Sequence, residues 1–236
     1  MLLSTPGLVL HTTPYAETSV VAKVFTRQLG VRSYIIKGVR SRTGRTKQNL
    51  LQPLTSLDMV VYDNHHSDLN YIREMTARRP QQPTDQVAIA LRMFMTEVLY
   101  RALKEHEPMQ DLWDYVSDEL QEVEDSNASG RSNVPIKFML DVAGLLGIAP
   151  LDNYSQRTPY FSLQEGRYLS SADETSLPPR LSMLLHMYLA TSGNNQPSAS
   201  LKDRTDIINS MIAYYQLHLS GFHNFSSHEI LHTVLN

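Results

Sequence analysis

Two stretches of this 236-residue chain hold side chains whose types and spacing could do chemistry. In residues 33–53, SYIIKGVRSRTGRTKQNLLQP, Lys37, Arg40, Arg42, Arg45 and Lys47 follow an apolar run with no acid among them. Strand-like edges holding apart a flexible cationic loop make a grip for a phosphate backbone. Gly38 and Gly44 let that loop bend without steric cost, and Ser41, Thr43 and Thr46 add hydroxyls of the kind that contact phosphate oxygens. The plainer reading is a solvated basic loop. Arg27 and Arg32 extend the cationic surface. Tyr34 or Tyr15, flanked by Arg and Lys, can stack on a base, and filling the core is the other fate of Tyr34.

The second stretch, His228-Glu229-Ile230-Leu231-His232, matches H-E-x-x-H. Such a helix turn puts two imidazoles on one face, where they can ligate zinc, with a glutamate as general base. Only four residues follow His232, which leaves no downstream third ligand, and with nine histidines a chance match to so short a pattern is not rare enough to outweigh that lack. His218 and His223 are the upstream groups that could complete a structural metal site. No phosphate-binding or dinucleotide glycine motif and no G-x-S-x-G occurs, so nucleotide hydrolysis and hydrolase chemistry lack support. His65-His66 read as exposed turn residues, and Trp113 as partly buried.

Composition narrows the class further. The chain has no cysteine, which removes disulfides, thiolate zinc sites and thiol nucleophiles together. A net charge of −3 hides a division: residues 1–80 hold eleven Lys and Arg against five Asp and Glu, a net +6, and residues 81–236 hold ten against nineteen, a net −9. One half is built to meet a polyanion. The opening MLLSTPGLVLH has neither the basic nor the apolar region of a signal peptide, and a cytosolic location is expected.

The elements that must position these groups change character near residue 80. Runs at 7–11, 18–25, 30–37, 54–62 and 71–75 are rich in β-branched and aromatic residues and bounded by turn chemistry. Five strands without room for crossover helices predict a small antiparallel barrel, of which the oligonucleotide-binding (OB) fold has this size and long loops. Pro80 and Pro83 mark a boundary, with Thr84 as the N-cap of the next helix. From there the apolar period becomes 3.6, predicting helices ending near His106, opening at Pro108, and covering 136–146, 180–191, 203–219 and 226–235. The Pro108 helix is strongly acidic outside its apolar stripe, which reads first as a solvated face and otherwise as a patch that repels DNA or receives a basic partner. Residues 125–133 read as a loop, and 159–169 as a small hairpin within an irregular 151–176 segment.

Gly7-Leu8-Val9-Leu10, Tyr15-Ala16-Glu17-Thr18-Ser19, Val24-Phe25-Thr26-Arg27-Gln28-Leu29-Gly30, Ile36-Lys37-Gly38-Val39-Arg40 and Leu51-Gln52-Pro53-Leu54 stand in an order that resembles the RecO family of recombination mediators. Looser agreement runs through 138–151, the 161–168 hairpin, Leu177-Pro178, Tyr215-Gln216-Leu217-His218-Leu219 and Ser227-His228-Glu229-Ile230-Leu231. The resemblance implies an N-terminal OB barrel with a helical domain behind it. It implies binding and annealing of single-stranded DNA, weaker binding of double strands, and action with RecR to load RecA onto strands coated by single-strand-binding protein. It also implies residence in the bacterial cytoplasm at the nucleoid.

Many members carry a four-cysteine zinc site before the hairpin. Residues 152–172 hold no cysteine here, so neither zinc nor another cofactor is expected, and packing of Tyr160, Phe161 and Tyr168 must hold the hairpin. The resemblance places HEILH on a final helix of structural role. In the family the helical domain receives the acidic, phenylalanine-ended tail of single-strand-binding protein, and Lys137 and Arg180, beside apolar helix faces, are the residues expected to take it.

The sequence thus reads as a non-enzymatic α+β protein, with a five-stranded OB barrel over 1–80 and a mostly α-helical domain with a small β-hairpin insertion over 84–236. The alternatives are a protein-interaction scaffold whose barrel meets an acidic partner and, a distant third, a metal hydrolase at His228, Glu229 and His232.

Overall fold

In the computed structural model, residues 2–41, 44–64, 67–78, 85–126, 131–191 and 197–234 are described, residues 45 and 46 by their backbone alone. Strand alternation builds the first core: Val20, Ala22 and Val24 of β2 (Val20–Thr26) and Leu57, Met59 and Val61 of β4 (Ser56–Tyr62) are buried at every second position. With β1 (Leu2–Pro14), β3 (Gly30–Ile36) and β5 (Leu69–Ala77) they close a barrel in the order β1-β2-β3-β5-β4, completed by β1 pairing with β4. Only β3 and β5 run parallel. β1 is longer than its apolar run predicts because it serves both seams, with residues 2–8 against β4 and 7–14 against β2. A register shift between Val9 and His11 marks the bulge that bends it. Where the seams overlap, a Cβ on Gly7 would lie 2.5 Å from Val24 and 2.6 Å from Met59, so the position excludes a side chain. The order, the closure and a short helix between β3 and β4, α1 (Arg45–Asn49), make this an OB fold.

The chain packs as two compact units, Met1–Asp85 with Leu103–Glu124, and Gln86–Ala102 with Asp125–Asn236. The acidic helix α3 (Gln110–Asp125) therefore groups with the barrel, unlike the division expected at residues 80–84. Its partner is internal. The Trp113 indole donates to the Phe25 carbonyl at 3.1 Å, Arg27 closes on both oxygens of Asp114 at 2.7 Å, and Lys23 meets Glu105 at 2.7 Å. Gly30, at φ +68°, lies against the backbone of Glu107, where a Cβ would come within 2.3 Å of the carbonyl oxygen. The expected boundary prolines, the Thr84 cap, His65-His66 and the centre of the 125–133 loop lie outside the described residues.

The second unit comprises α2 (Gln86–Ala102), α4 (Val134–Leu145), α5 (Pro179–Ala190), α6 (Leu201–His218) and α7 (Ser227–Val234), with the β6 (Tyr160–Ser162) and β7 (Arg167–Leu169) hairpin. α2 ends four residues before the expected His106 and buries Leu91, Phe94, Met95, Val98 and Leu99. Glu97 of α2 accepts from the Ser226 and Ser227 amides at 3.1 and 2.7 Å, satisfying orphan donors at the start of α7.

In the hairpin Phe161 and Tyr168 are buried with ring centroids 5.0 Å apart, while Tyr160 is half-buried. A polar clasp backs them: Asp173 accepts from Ser162 Oγ at 2.5 Å, Ser176 Oγ at 2.8 Å, and the amide and hydroxyl of Thr175 at 2.9 and 3.0 Å. These bonds, led by that of Ser162, pull the Asp173 carboxyl down to about 2. A depressed carboxyl stabilises the fold above its unfolded value near 4 and loses that contribution as pH falls through the folded one. The stability difference between the native chain and Asp173→Asn should thus be full at neutral pH and shrink between about pH 4 and pH 2. Urea denaturation across that range measures it, and a pH-independent difference would remove the carboxylate from the clasp.

Candidate nucleic-acid interface

The cationic stretch is more ordered than a flexible loop. After β3 the chain turns through Gly38 at φ +74°, and Gly44 nestles against the carbonyls of Val39 and Gly38, where a Cβ would clash at 2.2 and 2.3 Å. α1 follows, too short and polar to show an apolar period. Lys47 on it donates to the Lys37 carbonyl at 3.0 Å, and the Lys37 ammonium stands 5.7 Å from the centre of the Tyr71 ring.

Tyr71 begins the aromatic part of the site. It is the cross-strand partner of Tyr62, and both are exposed, by 48 % and 51 %. In the same row Leu2 of β1 pairs with Tyr62 and is itself exposed. A groove of about 770 Å³ runs past these tyrosines, lined also by Lys37, Lys47, Arg73 and Met75. Two rings facing solvent beside ammonium groups offer stacking surface and phosphate contacts together. Sequence reasoning missed Tyr62 and Tyr71, although the signal was present: with Leu57, Met59 and Val61 inward, Tyr62 must face out, and antiparallel pairing brings Tyr71 beside it.

Three expected contacts are corrected. Tyr34 is fully buried, because β3 registers Arg32, Tyr34 and Ile36 against the inward Val24, Ala22 and Val20. It fills the barrel core, its hydroxyl makes no hydrogen bond, and burial pushes its titration upward. Arg32 points inward by the same alternation and pairs with Asp63 at 3.7 Å. Arg27 is spent on Asp114, whose carboxyl those hydrogen bonds hold below its usual range.

Arg40 is exposed and anchors the β1–β2 loop, its amide on the Thr18 carbonyl at 3.1 Å and its guanidinium on that of Ala16 at 3.5 Å, near the exposed Tyr15. Arg42 and the Arg45 side chain lie outside the described residues. In the helical unit Lys137 is half-buried on α4, and Arg180 of α5 is engaged by Asp203 and Asp206 of α6. Of the H-E-x-x-H residues, Glu229 and His232 are exposed and His228 is half-buried. Among the described residues no three His, Asp or Glu side chains form a metal-binding group, and no helix is long and apolar enough to cross a membrane.

A closed five-stranded barrel in this order defines an OB-fold protein, and its cationic, aromatic groove is the candidate nucleic-acid interface. The profile described as Recombination protein O N terminal matches residues 1–81. Over its whole length the chain is similar to proteins described as DNA repair protein RecO: 25 % identical to that of Christiangramia forsetii, with 99 % of each chain covered, 25 % to that of Porphyromonas gingivalis, with 100 % of each covered, and 28 % to that of Phocaeicola vulgatus, with 98 % of each covered. Residues 1–81 are thus a RecO-type N-terminal domain, and the chain as a whole is similar to RecO proteins from end to end.

Proposed function

We propose that this protein is a recombination mediator in DNA repair, without catalytic residues, which binds single-stranded DNA in the groove between α1 and β5 and anneals complementary strands there. The observation that carries the reading is the exposed Tyr62–Tyr71 pair beside Lys37 and Lys47. Stacking tolerates any base and ammonium groups follow the backbone, so binding is largely independent of sequence. Double strands keep their bases stacked inside and bind more weakly. Annealing needs only that two strands be concentrated on a cationic surface that lowers their mutual repulsion.

The protein acts with RecR to load RecA onto strands coated by single-strand-binding protein, in the bacterial cytoplasm at the nucleoid. The acidic tail of that coat protein is received by the helical unit. Lys137, half-buried on α4, and Arg180, which also faces two aspartates, are its proposed contacts.

Fluorescence anisotropy with a labelled single strand across a salt series tests the reading. The logarithm of affinity should fall linearly with that of salt concentration, by about 0.7 for each phosphate neutralised. Absence of binding at low salt would overturn it and leave the barrel as a scaffold for an acidic protein.

A further inference from the structure

The helical unit contains a second cavity, remote in chemistry from the cationic groove. It measures about 230 Å³ and is lined, among the described residues, by Leu201, Arg204 and Ile208 of α6 and His228, Leu231 and His232 of α7, together with the polar Ser132, Thr205 and Asn209 and one acid, Glu229. The H-E-x-x-H turn therefore forms a wall of this cavity. Two imidazoles from one turn, with no third ligand gathered among the described residues, do not make a metal centre.

Among the described residues the wall's cation, Arg204, makes no ion pair, and the lining Glu229 is exposed. Arg204 is half-buried, and its one hydrogen bond among the described residues goes from Nη1 to the Ala199 carbonyl at 2.6 Å. Its Nε is buried with no partner. The nearest acids in sequence, Asp203 and Asp206, are both drawn to Arg180. His228 repeats the pattern: its ring stacks on Phe225 at 5.7 Å between centroids, and its buried Nδ1 has no partner. A half-buried guanidinium beside apolar side chains is costly unless an anion answers it. The remaining lining, Leu201, Ile208 and Leu231, suits a hydrocarbon body. Size adds to this, since an apolar cavity of about 150 Å³ takes up benzene.

We propose that this cavity binds a small monocarboxylate with one ring or a short branched chain, its carboxylate answered by Arg204 and its body held by Leu201, Ile208 and Leu231. Isothermal titration calorimetry on the full chain tests this with para-isopropylbenzoate and its neutral isostere para-isopropylbenzamide. The benzoate should bind about tenfold more tightly than the amide, and Arg204→Gln should abolish that preference while leaving the weaker binding of the amide. Ile208→Trp, which fills the cavity, should remove binding of both. Should that variant not fold, amide chemical shifts of the native protein replace it, with Leu201, Ile208 and Leu231 the expected responders. Equal affinities, no binding by either compound, a preference that survives Arg204→Gln, or shifts confined elsewhere would each overturn the proposal. Zinc binding at one equivalent, lost in His228→Gln and kept in Arg204→Gln, would overturn it in favour of a metal.

Discussion

Combining Lys37→Glu with Lys47→Glu should lower affinity for a labelled single strand on the order of a hundredfold at low salt and flatten the salt dependence by about 1.4. Both ammonium groups line the groove, and Lys47 holds the Lys37 backbone in place. Reversal therefore removes two phosphate contacts and adds repulsion. Tyr62→Ala with Tyr71→Ala should act differently, costing about 1–3 kcal/mol per stacked base while the salt slope stays near its native value. Charge and stacking are thereby read separately in one anisotropy experiment. Tyr34→Phe is the control: its hydroxyl is buried without a hydrogen bond, so removing it should leave DNA binding unchanged and the fold no less stable. If the lysine variant, still folded by circular dichroism, binds as the native chain does, the groove is not the DNA site.

Trp113→Ala is expected to be the most damaging single truncation in the barrel unit, at about 3–5 kcal/mol. The indole is buried, its Nε1 holds the Phe25 carbonyl, and the Arg78 guanidinium lies 5.9 Å from its centre. Truncation leaves a cavity and an unanswered carbonyl at the end of β2, beside the Arg27–Asp114 pair that depends on the same placement of α3. Trp113→Phe should fall between the two, since it fills most of the volume but cannot donate. Urea denaturation followed by circular dichroism measures both. A loss below about 1 kcal/mol for the alanine variant would mean that α3 is not integral to the unit.

Much of the barrel was legible because period-two alternation and turn residues are local signals. β2, β3 and β4 begin and end within two residues of the sequence reading. The misreadings concern register and pairing, which are not local. Arg32 and Tyr34 look like surface residues of a basic strand until β3 is set against β2, when the pleat turns both inward. Arg27 is a free cation until α3, more than eighty residues later, supplies Asp114. Lys37 and Lys47 were readable from charge alone. Tyr62 and Tyr71 required the parity of β4 to be carried across the following turn. The acidic helix read first as a solvated face, and nothing local to it shows that Asp114 meets a cation of the same chain.

The hairpin clasp has a consequence for the conditions under which the helical unit keeps its shape. A thiolate metal staple is lost to oxidants and chelators, and its formation depends on the supply of the ion. Asp173, Ser162, Thr175 and Ser176 contain nothing to oxidise and need no ion. Such a clasp should hold the hairpin without regard to metal supply or thiol oxidation and should loosen in acid, where Asp173 takes up a proton.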